Sequence, residues 1–275
     1  MILIIHIICF IFLLIGLYLL AIMPKLRRNH ESNYFDGRLY AHRGLHDNNS
    51  DAPENSIKAF QLAVDKQYGI ELDVQLTRDK VPVVLHDNIL LRVCGEDCKV
   101  SDITYEELTQ YRLFESQERI PTLQEVLDCV DGRVPLIIEL KVFFMPKSLC
   151  NIVSSILENY HGRYCIESFN PLVLFWYRRH CPEVIRGQLS TDLVREKAPG
   201  NKVECFILKN MVMNFLTKPD FIAYDHAYKN GLSFTLCRKL YRVKTAAWTI
   251  QSQDDYEKNR KYFDFFIFDS FIPKV

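Results

Sequence analysis

From residue 38 onward, short β-prone runs alternate with helical ones, and this alternation restricts the fold more than any other feature of the chain. The strand candidates are Leu39–His42, Ile70–Leu76, Val81–His86, Leu136–Lys141, Tyr164–Ser168, Val184–Leu189, Phe221–Tyr224, Thr245–Ile250 and Phe265–Phe268. Helical runs lie between most of them, among them Ser56–Lys66, Leu123–Asp128, Lys147–Tyr160 and Phe206–Leu216. Strand–helix alternation implies a parallel sheet, because each parallel crossover needs a dozen or more residues and a helix supplies them. Runs such as Phe265-Phe266-Ile267-Phe268 are apolar on both faces, as a sheet covered by helices requires. Only Thr77–Lys80 separates the second run from the third, too short for a crossover, so these two form an antiparallel hairpin. Eight β-α units remain in about 235 residues, the size of a TIM-type (β/α)8 barrel with a hairpin after its second strand. An open doubly wound sheet is the alternative, but no Gly-rich phosphate loop follows any strand.

The N-terminus belongs to a different regime. Residues 1–24 hold no charged side chain, and Ile2 to Met23 is almost purely aliphatic and aromatic. About 20 such residues span a hydrocarbon core of ~30 Å. A cleaved signal peptide would carry a basic leader and a shorter apolar run, so a retained transmembrane helix is expected at 1–24. Pro24-Lys25-Leu26-Arg27-Arg28 follows, and the bias of basic residues places the remaining chain in the cytoplasm. Residues 25–37 read as a juxtamembrane linker and 38–275 as the barrel domain. Nine scattered cysteines fit free thiols in a reducing compartment, and Cys94 and Cys98 lack the partners of a zinc site. The chain carries 34 basic and 34 acidic residues, which argues against a nucleic-acid binder.

Ionisable residues inside the apolar strands carry the chemistry. Glu71 and Asp73 alternate with Leu72 and Val74, so both carboxylates share one face. Glu139 and Lys141 do the same on another strand, while His42 and His86 end two further runs. Buried carboxylates on one face repel unless a cation joins them, and three oxygen donors suit Ca²⁺ or Mg²⁺ better than zinc. Two histidines can then act as general base and acid. Arg43 and Lys141 point to an anionic substrate such as a phosphate ester. His46, His161, His180 and His226 read as surface or hydrogen-bonding groups.

Together these residues resemble the glycerophosphodiester phosphodiesterase family. The resemblance runs through Ala41-His42-Arg43-Gly44, Pro53-Glu54-Asn55-Ser56 and Glu71-Leu72-Asp73-Val74, then Leu85-His86-Asp87, Ile120-Pro121-Thr122-Leu123, Glu139-Leu140-Lys141, Ser168-Phe169-Asn170 and Ala247-Trp248-Thr249. Ser56 replaces the family threonine and keeps a hydroxyl helix cap. The family's closing TD-x-P becomes Phe268-Asp269-Ser270-Phe271-Ile272-Pro273. The resemblance implies a metal-dependent phosphodiesterase. His42 and His86 would be the acid/base pair, and Glu71, Asp73 and Glu139 the ligands of one Ca²⁺ or Mg²⁺. Arg43 and Lys141 would contact the phosphate, Glu54 would orient the groups around it, and Trp248 would line the pocket. Substrates would be small glycerophosphodiesters, cleaved to glycerol 3-phosphate and an alcohol through a cyclic phosphate. Lysophospholipids, in a lysophospholipase D reaction, are the alternative. A membrane-tethered binding protein without turnover is a third reading.

Overall fold

The computed structural model describes residues 1–27, 30–142, 146–198 and 200–274. Arg28 of the basic flank, Asn29 of the linker and the terminal Val275 therefore lie outside the described residues. The sheet contains β1 (Leu39–His42), β2 (Gly69–Leu76), β3 (Pro82–Val84), β4 (Leu136–Leu140), β5 (Tyr164–Ser168), β6 (Arg186–Ser190), β7 (Phe221–Asp225), β8 (Lys244–Ile250) and β9 (Phe265–Phe268). Eight of these are parallel and close into a barrel through the β1–β2 pairing, with β3 antiparallel on β2. The expected hairpin and barrel are both present.

Two apolar layers hold the barrel. Outward residues such as Leu72, Val74, Ile138 and Ile166 pack under the surrounding helices. Inward residues at the base form a separate core of Tyr40, Ile137, Cys165, Phe221, Phe265 and Ile267, closed from below by Phe35. Two glycines make room for its rings. A Cβ on Gly69 would lie 2.4 Å from the Tyr40 ring, and one on Gly187 would lie 2.1 Å from that of Phe221. With the base filled by aromatics, the polar inward positions are left to the opposite end, where the strands finish. Phe35 belongs to a 3-10 turn at 30–35, so this part of the expected linker is folded against the barrel.

The helix expected at Phe206–Leu216 is divided in two, Lys202–Lys209 and Asn214–Thr217. Met211 lies between them at φ 53, buried, and interrupts the ladder. The N-terminal helix spans Ile2–Ala21, and none of its residues is buried. The nine cysteines are free.

Candidate active site

Register assembles the site. Asp73 on β2 is level with Glu139 on β4, which is level with Glu167 on β5. His42 on β1 is level with Glu71 on β2. Alternation turns all of them into the barrel at its C-terminal mouth. β3 completes the set. Running antiparallel, it descends along β2 on the edge that the short β1 leaves free, with Leu85 N–H donating to the Asp73 carbonyl at 2.9 Å. The next residue, His86, thereby arrives beside Asp73.

Glu71, Asp73 and Glu139 bring carboxylate oxygens within 4.8 Å of one another, all three side chains being buried. Burial, then Asp73 and Glu139, push the Glu71 carboxyl well above the usual range. Burial also opposes ionisation of Asp73, yet Lys141 and Arg43 hold it well below that range. Lys141 Nζ lies 2.8 Å from Glu139 Oε2 and 3.1 Å from Asp73 Oδ1. Asp73 Oδ1 meets Lys141 as an ion pair and has no hydrogen-bond partner besides it among the described residues. Three buried oxygen donors, whose repulsion Lys141 and Arg43 offset at Asp73 while the Glu71 carboxyl stays raised, fit a hard divalent cation.

Each histidine is held by a carboxylate. Asp269 Oδ2 is 2.9 Å from His42 Nδ1, and Asp87 Oδ1 is 2.6 Å from His86 Nδ1. Both arrangements leave Nε2 for proton transfer, and His42 Nε2 lies 3.9 Å from Glu71 Oε2. Burial lowers both histidine pKa values, while Asp269 and Asp87 act in the opposite sense. Arg43 donates through its backbone to Glu71 at 3.2 Å and through Nη1 to Glu54 at 2.7 Å. It stands at φ 57, followed by Gly44 at φ 85, whose added Cβ would meet Ala59 at 2.9 Å. Asn55 donates to Asp73 Oδ2 at 3.0 Å. Ser56 caps the following helix by accepting from Ala59 N–H. The HRG and PENS segments are thus a single turn that grips the carboxylate cluster.

Most expected residues meet at this mouth. Glu54 stands one step back and touches Arg43, Asn48 and Arg92. Trp248 lies across the mouth on β8, edge-on to Phe169 at 5.7 Å. Several residues were not singled out from sequence. Arg92 grips Glu54 with two nitrogens at 2.7 and 2.8 Å and also bonds Asp87. His46, read from the sequence as a surface or hydrogen-bonding group, is 11% exposed and lies 3.3 Å from Asp269 Oδ1. Glu167 is buried with Oε2 unpartnered among the described residues, and burial followed by Glu139 raises its pKa. Its signal was available: Cys165 and Glu167 alternate as Glu71 and Asp73 do. A groove of about 860 Å³ runs outward from His86 and Lys141, past Leu76, Ile89, Val142 and Leu149.

Residues 42–270 match the model of the "Glycerophosphoryl diester phosphodiesterase family". A glycerophosphodiester phosphodiesterase of Caldanaerobacter subterraneus is 31% identical over 230 residues, 79% of this chain and 87% of that protein. Glycerophosphodiester phosphodiesterase 1 of mouse is 33% identical over 162 residues, 55% of this chain and 45% of the mouse protein. Among solved structures, an Oleispira antarctica phosphodiesterase in complex with the product sn-glycerol-3-phosphate superposes with a TM-score of 0.70 at 22% identity, covering 86% of this chain and 94% of that one. A glycerophosphodiester phosphodiesterase from Parabacteroides distasonis gives 0.65 at 24% identity, covering 85% and 93%. At these identities the structures share the fold, and the family is carried by the sequence matches. With the family match spanning residues 42–270, the chain belongs to the glycerophosphoryl diester phosphodiesterase family, and its enzyme class is that of a glycerophosphodiester phosphodiesterase.

Proposed function

We propose that the protein hydrolyses glycerophosphodiesters to glycerol 3-phosphate and an alcohol, with a divalent cation at Glu71, Asp73 and Glu139 and with His42 and His86 as the acid/base pair. The observation that carries this reading is the meeting of those three carboxylates with two carboxylate-held imidazoles at one mouth. When bound, Ca²⁺ or Mg²⁺ would supply positive charge that draws the phosphate oxygens in and polarises phosphorus. Lys141 and Arg43 hold the remaining phosphate charge. The glycerol 2-hydroxyl oxygen attacks phosphorus while one histidine accepts its proton. The P–O bond to the head group breaks, and the departing alcohol takes a proton from the other histidine. Water then opens the cyclic phosphate with the histidine roles exchanged. Asp269 and Asp87 fix the imidazole orientations. Trp248 and Phe169 form an apolar wall for the organic part of the substrate.

A second reading, hydrolysis of lysophospholipids, is favoured by the groove beside His86 and Lys141, whose apolar walls can take an acyl chain. The helix Ile2–Ala21 is long and apolar enough to cross a membrane. We place it across a bilayer, with the barrel on the cytoplasmic side marked by Lys25 and Arg27. The test uses the full chain in detergent with glycerophosphocholine, glycerophosphoethanolamine and lysophosphatidylcholine, each with Ca²⁺, Mg²⁺ or chelator. Divalent-dependent release of glycerol 3-phosphate from the first two supports the main reading. Faster release of choline from the lysolipid would favour the second. No cleavage of any of them under all conditions would sink both.

A further inference from the structure

The course of the N-terminal helix along the barrel fixes which end of the barrel it leaves from. Tyr18 Oη lies 2.7 Å from Ser233 Oγ, which lies 2.9 Å from Asn210 Oδ1. Ser233 opens the helix Leu232–Lys239 that follows β7, so it sits at mouth level. Further along, the Ile22 carbonyl accepts from Asn214 Nδ2 at 3.0 Å, midway down. Met23 O then accepts from Lys218 Nζ, and Lys25 N–H donates to Pro219 O. Lys25 also pairs with Asp220 at 2.7 Å, at the base where β7 begins. From Tyr18 to Lys25 the chain therefore descends from mouth to base. Followed backwards from Tyr18, the helix leaves the barrel on the side of the mouth.

We infer that the mouth of the barrel faces the leaflet entered by the N-terminal helix, with the apolar rim of Val203, Phe206 and Leu232 seated in the lipid. The inference rests on the membrane-spanning reading of that helix. Length supports the seating. Residues 2–15 are all exposed and stand clear of the barrel, which is about 21 Å of helix. A hydrocarbon core of ~30 Å needs about 20 residues. The missing ~9 Å matches Gly16 to Ala21, in which Tyr18 meets Ser233 next to the rim residue Leu232 and the Leu19 carbonyl accepts from Tyr241 Oη reaching up from below. The rim has the composition this requires: Val203 is 64% exposed, Phe206 58% and Leu232 67%. Ser190 at the mouth end of β6 donates to the Leu208 carbonyl at 3.0 Å, which fixes the helix bearing Val203 and Phe206 at mouth level. Across the mouth, Leu91 and Ile272 are also exposed on segments that follow strand ends. Apolar faces of this kind sink 5–10 Å into the boundary between head groups and acyl chains. An amphiphilic phosphodiester would then pass from the leaflet into the site without crossing bulk water.

The test places the full chain in phosphatidylcholine vesicles whose acyl chains are either plain or brominated. Phe206→Trp and Leu232→Trp report on the rim, and Glu158→Trp, exposed at the end of the helix Lys147–Leu157 that returns from the mouth end of β4, reports on the base. Emission is taken as the difference from the unsubstituted chain, and each preparation is first washed with alkaline carbonate. The result expected is that the chain stays in the vesicles, both rim tryptophans lose most of their added emission in brominated lipid, and Trp at 158 keeps its emission. A chain that stays bound while the rim tryptophans are unquenched, or while position 158 is quenched in their place, overturns the orientation alone. Release by carbonate overturns the membrane-spanning reading and the orientation with it.

Discussion

His42 depends on a carboxylate that is distant in sequence. Asp269 holds its Nδ1 at 2.9 Å and lies within 3.3 Å of His46, so one aspartate sets the geometry of two imidazoles. Asp269→Asn keeps the shape and weakens this hold, and kcat for glycerophosphocholine should fall about 10–100-fold with metal affinity unchanged. Glu54 makes a prediction of a different kind. Burial raises its pKa, but Arg92, Arg43 and Asn48 outweigh burial and bring it from 4.5 down to about 2. A carboxylate depressed in the folded state stabilises fully above its unfolded pKa, and the contribution is lost as pH falls through about 2. In urea melts at neutral pH, Glu54→Gln should cost up to about 3 kcal/mol. That difference from the parent chain should narrow steadily below pH 4.5; a constant difference would mean that charge is not the cause. Glu71, Asp73 and Glu139 were legible in the sequence because charge at inward positions of an apolar strand is costly and stands out. Arg92 was not, since a lone arginine in the short helix Leu91–Cys94 carries no pattern of its own and its partner Glu54 lies 38 positions away. Asp269 was visible as a retained residue, but its bond to His42 spans 227 positions and only barrel closure creates it.

At the scale of elements, the β2–β3 hairpin and the HRG turn position the chemistry. The hairpin follows from connection length alone, and it was legible for that reason. The HRG turn demands a glycine at position 44 for two reasons, a φ of 85 and an approach to Ala59 that leaves no space for a Cβ. Gly44→Ala should destabilise the fold by about 1–3 kcal/mol and lower turnover, because Arg43 beside it donates to Glu71 and Glu54. Ser56→Ala removes only a helix cap and should cost about 1 kcal/mol in a thermal melt with kcat nearly unchanged. The break at Met211 was not legible. Its left-handed backbone brings Asn214 to the carbonyl of Ile22, a contact with a helix nearly two hundred residues earlier. Local propensity has no access to such a partner, so the sequence pattern reads as one continuous helix.

The whole molecule joins an uncharged helix to a linker and barrel that carry every charged side chain, and only a few of those charges lie at the mouth. The barrel was legible through alternation, and the closing β1–β2 pair is what turns an open sheet into a mouth. Leaving Glu71, Asp73 and Glu139 together stores repulsion that a bound cation would relieve. At about one hundred times its dissociation constant, a cation that binds only the folded chain adds about 2.7 kcal/mol, so Tm should rise with Ca²⁺ or Mg²⁺ and fall back with chelator. Glu71→Ala should lose that rise, whereas His42→Ala should keep it. The most direct measurement is turnover of glycerophosphocholine by the full chain, titrated with Ca²⁺ and Mg²⁺ from a chelated start, alongside Glu71→Ala and His42→Ala. The account predicts no glycerol 3-phosphate without cation and a saturable rise for the parent chain. It also predicts a rise displaced to much higher cation for Glu71→Ala, and no turnover for His42→Ala at any cation level. Full turnover in chelator, or a His42→Ala chain that turns over normally, would contradict it.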